Sequence, residues 1–592
     1  MKTRALPLFV TGWVLLAFLA GCTGDSDSSA DRSADLAIVN ATVFTSDPAR
    51  PWAEAVAVQD DRIIFVGEDA GADRFITADT RVVNARGRML TPGFIDSHCH
   101  VLWIGALQSM MTKELYKAVS VDEVADLVRA QAAGYPDDAL VMGVGWQYAY
   151  IPRQMPNKEM GDAIIADRPM LLMSYDGNTG WLNTEAVRQL VSRNATAFRH
   201  LDPAVDETGE YSGVLMHFHA FNPLDFYTID ELGPGMKSRM FAAMAAMLDQ
   251  ALSFGLTAFN DVQLYRSFLP LLIEFHDEGG LERVRARGSY YVGSHSLEDE
   301  DGLRANLEYW QSLDNPRGDE HLFLGDSAKL YIEGVLDSYT ALLLEPYADR
   351  PDTCGEATWT QENFNHVVAL LDGMGLQCCT HAIGDGGIRR VLNAYENAAE
   401  INGPRNARHR LEHCELPEPT EDLPRLARLG VLAAMQPAQF FGNANGEIRL
   451  GFDRVQRYDP WKSLQDVGVD LSFGSDWAAG PLNPMYGLFV AVHRLNHEFS
   501  DAWGPEQKIG IEDALGHYTM GSARALMLED RIGSIEIGKL ADLVLFNIDL
   551  REVASDRFMI EHPLTIEGLE VSGWDDFVDM TVVGGQAVYE RM

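Results

Sequence analysis

What most constrains this 592-residue chain is a series of eight short apolar runs with helical stretches between them, at residues 90–100, 256–262, 284–292, 328–332, 376–381, 409–413, 431–436 and 471–476. Most of the intervals are close to the roughly thirty or more residues that a strand, a returning helix and their loops occupy. Helical patterns such as 121–132 and 241–254 fall between the runs. Alternating β and α segments predict an α/β chain with a parallel sheet or barrel, and eight of them predict a (β/α)8 barrel over residues 91–526. The first gap, from His100 to Leu256, is far too long for one unit. An insertion of about 102–232 is therefore expected after the first strand, where long inserts shape the mouth of a barrel.

The two ends read differently. From residue 35 to 90, short runs such as Ala37-Ile38-Val39, Ala55-Val56-Ala57-Val58 and Arg62-Ile63-Ile64-Phe65-Val66-Gly67 are separated by Asp, Gly and Pro, the pattern of antiparallel strands and turns. The same texture returns over 527–592, around Leu543-Val544-Leu545-Phe546 and Met580-Thr581-Val582-Val583. The expectation is one small β-sandwich built from both ends.

Residues 1–22 carry Lys2 and Arg4, then an apolar stretch, then Leu19-Ala20-Gly21-Cys22. This is a signal peptide, too short to be a stable transmembrane helix. Its ending resembles a bacterial lipoprotein box, in which the chain is cut before Cys22 and that thiol carries lipid; without lipid the stretch is still a signal peptide. Residues 23–34, rich in Asp, Ser and Gly, then form a flexible tether. The chain is expected on a bacterial cell envelope, anchored through Cys22 and facing the periplasm or the exterior. Cys99, Cys354, Cys378, Cys379 and Cys414 are too few for a disulfide framework on so long a chain.

Lys and Arg total 47 against 87 Asp and Glu, a formal net charge of −40. No basic run or stripe is present, so nucleic acid is excluded as a partner. An acidic surface of this kind suits high ionic strength, where self-repulsion is screened.

His98 and His100 are two apart at the end of an apolar strand, so both rings point to one face and make half of a metal site. The spacing alone is weak, since His217-Phe218-His219 repeats it inside the insertion. Context strengthens it: His381, His413 and Asp476 end the fifth, sixth and eighth runs, and residues at the carboxyl ends of barrel strands converge on one mouth. Lys329 stands in the fourth run and is the only lysine between Lys237 and Lys462. If buried, its amine is pushed towards the neutral form, which reacts with carbon dioxide to give a carbamate able to bridge two cations; otherwise it snorkels to solvent from a strand edge.

Thr91-Pro92-Gly93-Phe94-Ile95-Asp96-Ser97-His98-Cys99-His100, Thr380-His381-Ala382-Ile383-Gly384-Asp385, Leu411-Glu412-His413, Gly474-Ser475-Asp476 and Ile532-Gly533-Ser534-Ile535-Glu536-Ile537-Gly538-Lys539-Leu540-Ala541-Asp542 resemble the amidohydrolase superfamily. More narrowly they resemble its amidohydrolase-3 branch, which includes N-substituted formamide deformylase. The resemblance covers essentially everything after the tether. It implies that His98 and His100 bind one metal, that His381 and His413 bind a second, that a carboxylated Lys329 bridges them, and that Asp476 ligates and acts as general base. Two zinc ions are expected, with manganese or iron as the other divalent choices. Trp146, Tyr175, Asp176 and Asn178 on the insertion are candidates to orient substrate. Two segments depart from the branch. Asn178 stands where its Asp-Gly-His motif has histidine, and Glu333-Gly334-Val335-Leu336-Asp337-Ser338-Tyr339 replaces a more usual Asp-Gly-Ser-Leu-Gly-Ser-Arg.

The resemblance implies hydrolysis of a non-peptide C–N bond in a small amide, N-substituted formamide or cyclic amide by a metal-bound hydroxide, with Asp476 passing the proton to the leaving amine. The same site would attack an ester or lactone. A catalytically silent ligand-binding lipoprotein is the reading from another class, and a homo-oligomer is compatible with either.

Overall fold

Residues 90–100, one apolar run in the sequence, divide at Gly93 between two sheets in the computed structural model. Met89–Pro92 pairs antiparallel with Leu543–Phe546, whereas Phe94–Cys99 is the first barrel strand, β1. A Cβ at Gly93 would lie 2.0 Å from Thr257 Oγ1, so the close approach to the second strand admits only glycine there. The structure describes residues 33–112, 114–136, 139–152, 155–175, 177, 179–216, 221–313, 320–442, 445–495, 503–567 and 570–591. The signal segment, Cys22, most of the tether, Asp176, Asn178 and His217-Phe218-His219 lie outside them.

The remaining barrel strands are β2 (Leu256–Leu264), β3 (Arg285–Tyr291), β4 (Ser327–Tyr331), β5 (Gln377–Ala382), β6 (Arg410–His413), β7 (Leu432–Met435) and β8 (Leu471–Phe473). They follow one another in parallel in chain order. The circle is nearly closed where Asp476 N donates to His98 O at 2.7 Å and His100 N to Trp477 O at 2.9 Å. The expected (β/α)8 barrel is thus the observed fold, with all eight runs forming its strands. β1, β2 and β5 are buried along their whole length, which is why they read as continuous apolar runs rather than alternating ones.

The unit before β5 shows how local sequence makes the frame. Thr360 caps the helix Gln361–Gly373 by accepting from Asn363 N, a contact worth about 1 kcal/mol. Phe364, Val367, Val368 and Leu371 recur at helical spacing and are buried. The chain then reverses at Gly375, whose φ of 86° lies in the left-handed region that glycine tolerates.

Between β1 and β2 lies a separate six-stranded sheet, running in order Pro203–Val205, Tyr211–Leu215, Gly180–Leu182, Met170–Ser174, Val141–Trp146 and Met111–Thr112. The helical pattern at 121–132 belongs here: Val121–Ala132 packs Val124 and Val128 into a local core with Val141, Trp146, Leu172 and Trp181, so it is not a barrel crossover. The pattern at 241–254 lies within the helix Met236–Ser253 that leads into β2. At the chain ends, a four-stranded sheet of Leu36–Val39, Ala55–Gln59, Arg62–Gly67 and Arg81–Asn84 faces a six-stranded sheet drawn from residues on both sides of the barrel. Ile38, Val56, Leu90, Leu543, Leu545 and Val582 share one apolar cluster between them. Among the described residues no helix is long and apolar enough to cross a membrane.

Candidate metal centre

Because the strands run parallel, their carboxyl ends meet at one face. His98 comes from the end of β1, with His100 just beyond it. Lys329 comes from the middle of β4, and His381 and His413 come from the ends of β5 and β6. Asp476 lies three residues past β8. The rings form a chain: His100 to His98 at 5.7 Å between centroids, His98 to His413 at 4.9 Å, and His413 to His381 at 4.5 Å. Asp476 Oδ1 faces Nε2 of His100 at 3.1 Å and Nε2 of His98 at 3.4 Å. His413 and Asp476 have φ of 73° and 52°, in the left-handed region that non-glycine residues rarely occupy. Strained backbone at two candidate ligand positions is the pattern of a functional site.

Two histidines have their tautomers set by acceptors on the far side of the ring. His98 Nδ1 lies 2.5 Å from Glu412 Oε2, so Nδ1–H donates and Nε2 keeps its lone pair towards Asp476. His381 Nε2 lies 3.0 Å from Gly334 O; a carbonyl only accepts, so Nε2–H donates and Nδ1 is left to ligate. Glu412 is itself gripped by Arg410, whose Nε and Nη2 each donate to it at 2.8 Å. Both side chains are fully buried. Burial alone would raise the Glu412 carboxyl, but Arg410 and then His98 outweigh it and hold the group well below the carboxylate range. Asp476 behaves alike: burial opposes ionisation, yet the facing His98 and His100 rings outweigh it and hold the carboxyl well below the carboxylate range. Gln439 Nε2 donates to its other oxygen at 2.9 Å.

The remaining donors have no internal partner. His413 Nδ1 and Lys329 Nζ are buried without a hydrogen bond. Lys329 is completely buried, and its amine lies 4.5 Å from the Tyr331 ring centroid. Burial brings Lys329 down to about 8; burial, and after it Lys329, brings His381 down to about 3. Burial drives His413 well below its ordinary value. These imidazoles are neutral at neutral pH, the form that ligates. One ligand atom each from His98, His413 and Asp476 lies within 4.8 Å of the others. Neutral imidazoles, an ionised carboxylate and orphaned buried nitrogens fit a divalent cation.

The insertion residues divide. Trp146 is fully buried in the insertion's own core, its Nε1 donating to Leu172 O at 3.0 Å and its ring edge-on to Trp181, the surrounding of a packing residue. Tyr175 does reach the barrel, its hydroxyl donating to Asp337 Oδ2 in the loop after β4 at 3.4 Å. Asp176 and Asn178 lie outside the described residues. Sequence reasoning missed the supporting residues Glu412, Arg410 and Gln439; the signal available was a charged pair inside the otherwise buried strand β6. The departure at Glu333 is also structural: its carboxylate accepts from Ile383 N at 2.5 Å, Gly384 N at 2.8 Å and Leu342 N, tying the loop after β4 to the one after β5.

A family model described as "Amidohydrolase family" matches residues 81–589. "Protein LONG AFTER FAR-RED 3" of Arabidopsis thaliana is 28% identical over 576 residues, covering 94% of this chain and 92% of that protein. N-substituted formamide deformylase of Arthrobacter pascens is 24% identical over 526 residues, covering 87% of this chain and 94% of its own. The crystal structure of an uncharacterized metal-dependent hydrolase from Pyrococcus horikoshii shares the fold with a TM-score of 0.68 at 22% identity, over 87% of this chain and 98% of that one.

Proposed function

The chain belongs to the amidohydrolase family, and on that premise we propose that it hydrolyses a non-peptide C–N bond in a small amide-type substrate, an N-substituted formamide or a cyclic amide. The observation that carries the reading is the meeting of His98, His413 and Asp476 within 4.8 Å, with His413 Nδ1 and the nearby Lys329 Nζ buried and without a hydrogen bond among the described residues. We propose that His98, His100, His381, His413 and Asp476 hold two cations of zinc type, with Lys329 between them as its carbamate.

A divalent cation held there polarises a carbonyl and acidifies a water, whose pKa can fall from 15.7 to about 7. The rest is done by the chain. Glu412 and the Gly334 carbonyl keep His98 and His381 in the tautomers that aim a lone pair inward. Asp476, ionised and steadied by Gln439, takes a proton as water adds to the substrate carbonyl carbon. It returns that proton to the leaving nitrogen, which departs as an amine rather than an amide anion. Tyr175 and Asp337 at the mouth stand where a substrate side group would pass. We further propose that the enzyme works from a bacterial cell envelope through lipid on Cys22.

The test is a panel of N-formyl, N-acyl, cyclic amide and lactone compounds against the metal-loaded protein, with Asp476→Asn as the comparison. We expect turnover on an amide or formamide and a fall in kcat/KM of about 10²–10⁴-fold in the variant. Turnover confined to lactones would overturn the C–N assignment, and an unchanged variant would remove Asp476 from proton transfer.

A further inference from the structure

Apart from the candidate metal centre, a second group of metal-ligating side chains stands within reach of a single ion, and the amide chemistry has no use for it. His200 follows the short helix Ala195–Arg199 of the insertion, whereas His295 and Glu298 lie on the turn Ser294–Asp299 that leaves β3. His295 Nδ1–H donates to Glu298 Oε1 at 2.9 Å, and His200 Nε2 faces Glu298 Oε2 at 3.5 Å. One ligand atom of each residue lies within 4.8 Å of the other two.

Three features distinguish this group from an ordinary surface ion pair. His200 Nε2 is a buried nitrogen with no hydrogen bond, although its ring is part exposed. The two imidazoles lie 4.6 Å apart and within 4° of parallel, an arrangement two imidazolium charges would repel. Burial, and then His295, holds His200 below its ordinary value, so it is the neutral, ligating form at neutral pH. Among the described residues the arginine that reaches this group is Arg199, which touches Glu298 Oε2 at 3.4 Å from an exposed guanidinium.

We infer that His200, His295 and Glu298 form a second divalent-cation site of zinc type, which staples the insertion to the loop leaving β3. Two imidazoles and a carboxylate are the donors zinc takes, whereas magnesium and calcium prefer oxygen sets. Bonds of about 2.0–2.2 Å place tetrahedral ligand atoms roughly 3.3–3.6 Å apart. The His295 proton must therefore shift from Nδ1 to Nε2 so that Nδ1 can ligate, while the His295–Glu298 contact opens slightly and the widest pair closes. Three protein ligands leave a coordination position for water. The ion would not take part in the barrel chemistry; it would hold the insertion that carries Tyr175 against the mouth.

The experiment is metal counting on the full chain, stripped with chelator and reloaded with zinc, then separated from free metal. His200→Ala/His295→Ala should bind one equivalent fewer than wild type, keep the wild-type Tm in chelator, and lose part of the Tm gain that zinc gives. Glu298→Gln should retain the equivalent at least tenfold more weakly. Equal zinc content in wild type and a folded double variant would overturn the proposal. Should the double variant fail to fold, the zinc-edge anomalous signal of a crystal of the wild-type protein loaded before crystallisation decides: a peak between the three side chains supports the site, and its absence beside an occupied barrel mouth sinks it.

Discussion

At the residue scale, the candidate ligands stand out in the sequence and the residues that support them do not. His98, His100, His381, His413 and Asp476 could be singled out because each stands at or near the end of an apolar run, where a polar residue has no packing reason to be. Glu412 sits in the same strand as His413, but its partner His98 is 314 positions away, and no spacing rule reaches that far. Since Glu412 sets the His98 tautomer, Glu412→Gln should weaken metal binding by about 10–100-fold, measured by competition with a chromophoric chelator. Unchanged affinity would mean that Arg410 and Glu412 only fill space. A second buried carboxylate gives a pH prediction. Burial lifts Asp459 from 3.8 to about 7, with Arg494 opposing. The folded state therefore binds a proton that the unfolded chain has released between those two values, and this contribution to stability is lost as pH rises from about 4 to about 7. Asp459→Asn lacks the titration, so its Tm should gain on wild type by a few degrees across that window and run parallel above it. Melting curves that keep a constant offset from pH 4 to pH 8 would refute the assignment.

At the element scale, strand positions were legible because parallel strands buried on both faces give unbroken apolar runs, while their division between sheets was not. The run through residues 90–100 reads as one strand in the sequence, and Pro92-Gly93 marks the handover from the terminal sheet to β1. The helix Val121–Ala132 misled for the converse reason: an amphipathic pattern reports one buried face and not which sheet buries it. Gly93 can be tested. A methyl there meets Thr257 Oγ1 at 2.0 Å, Cγ2 at 2.5 Å and Cβ at 2.7 Å, so Gly93→Ala should cost about 1–3 kcal/mol by overpacking. Because β1 carries His98, activity should fall with it. Thr257→Gly in the same chain removes all three offending atoms and should return part of the stability, a coupling that a double-mutant cycle reads directly. Additive losses would show that the strain lies elsewhere.

For the whole molecule, the net charge of −40 acts on everything described above without choosing any of it. Many acidic groups are already paired with arginine at the surface, as in Arg304 with Glu300, Arg425 with Glu396 and Arg389 with Glu421. Exposed pairs of this kind contribute about 0–1 kcal/mol each and weaken in salt. The unpaired excess works the other way, since like charges on a compact surface repel over a Debye length of about 10 Å at 0.1 M and about 3 Å at 1 M. The two effects oppose each other, and the imbalance of 87 acidic against 47 basic residues decides the sign. Raising sodium chloride from 0.1 to 1 M should therefore raise the Tm of the metal-loaded protein. Chloride is a weak stabiliser by exclusion, so an equal concentration of a neutral osmolyte serves as the comparison, and the gain in salt should exceed it. A Tm that falls with salt would mean that the arginine pairs outweigh the repulsion, and that the acidic surface is held together locally rather than tolerated by screening.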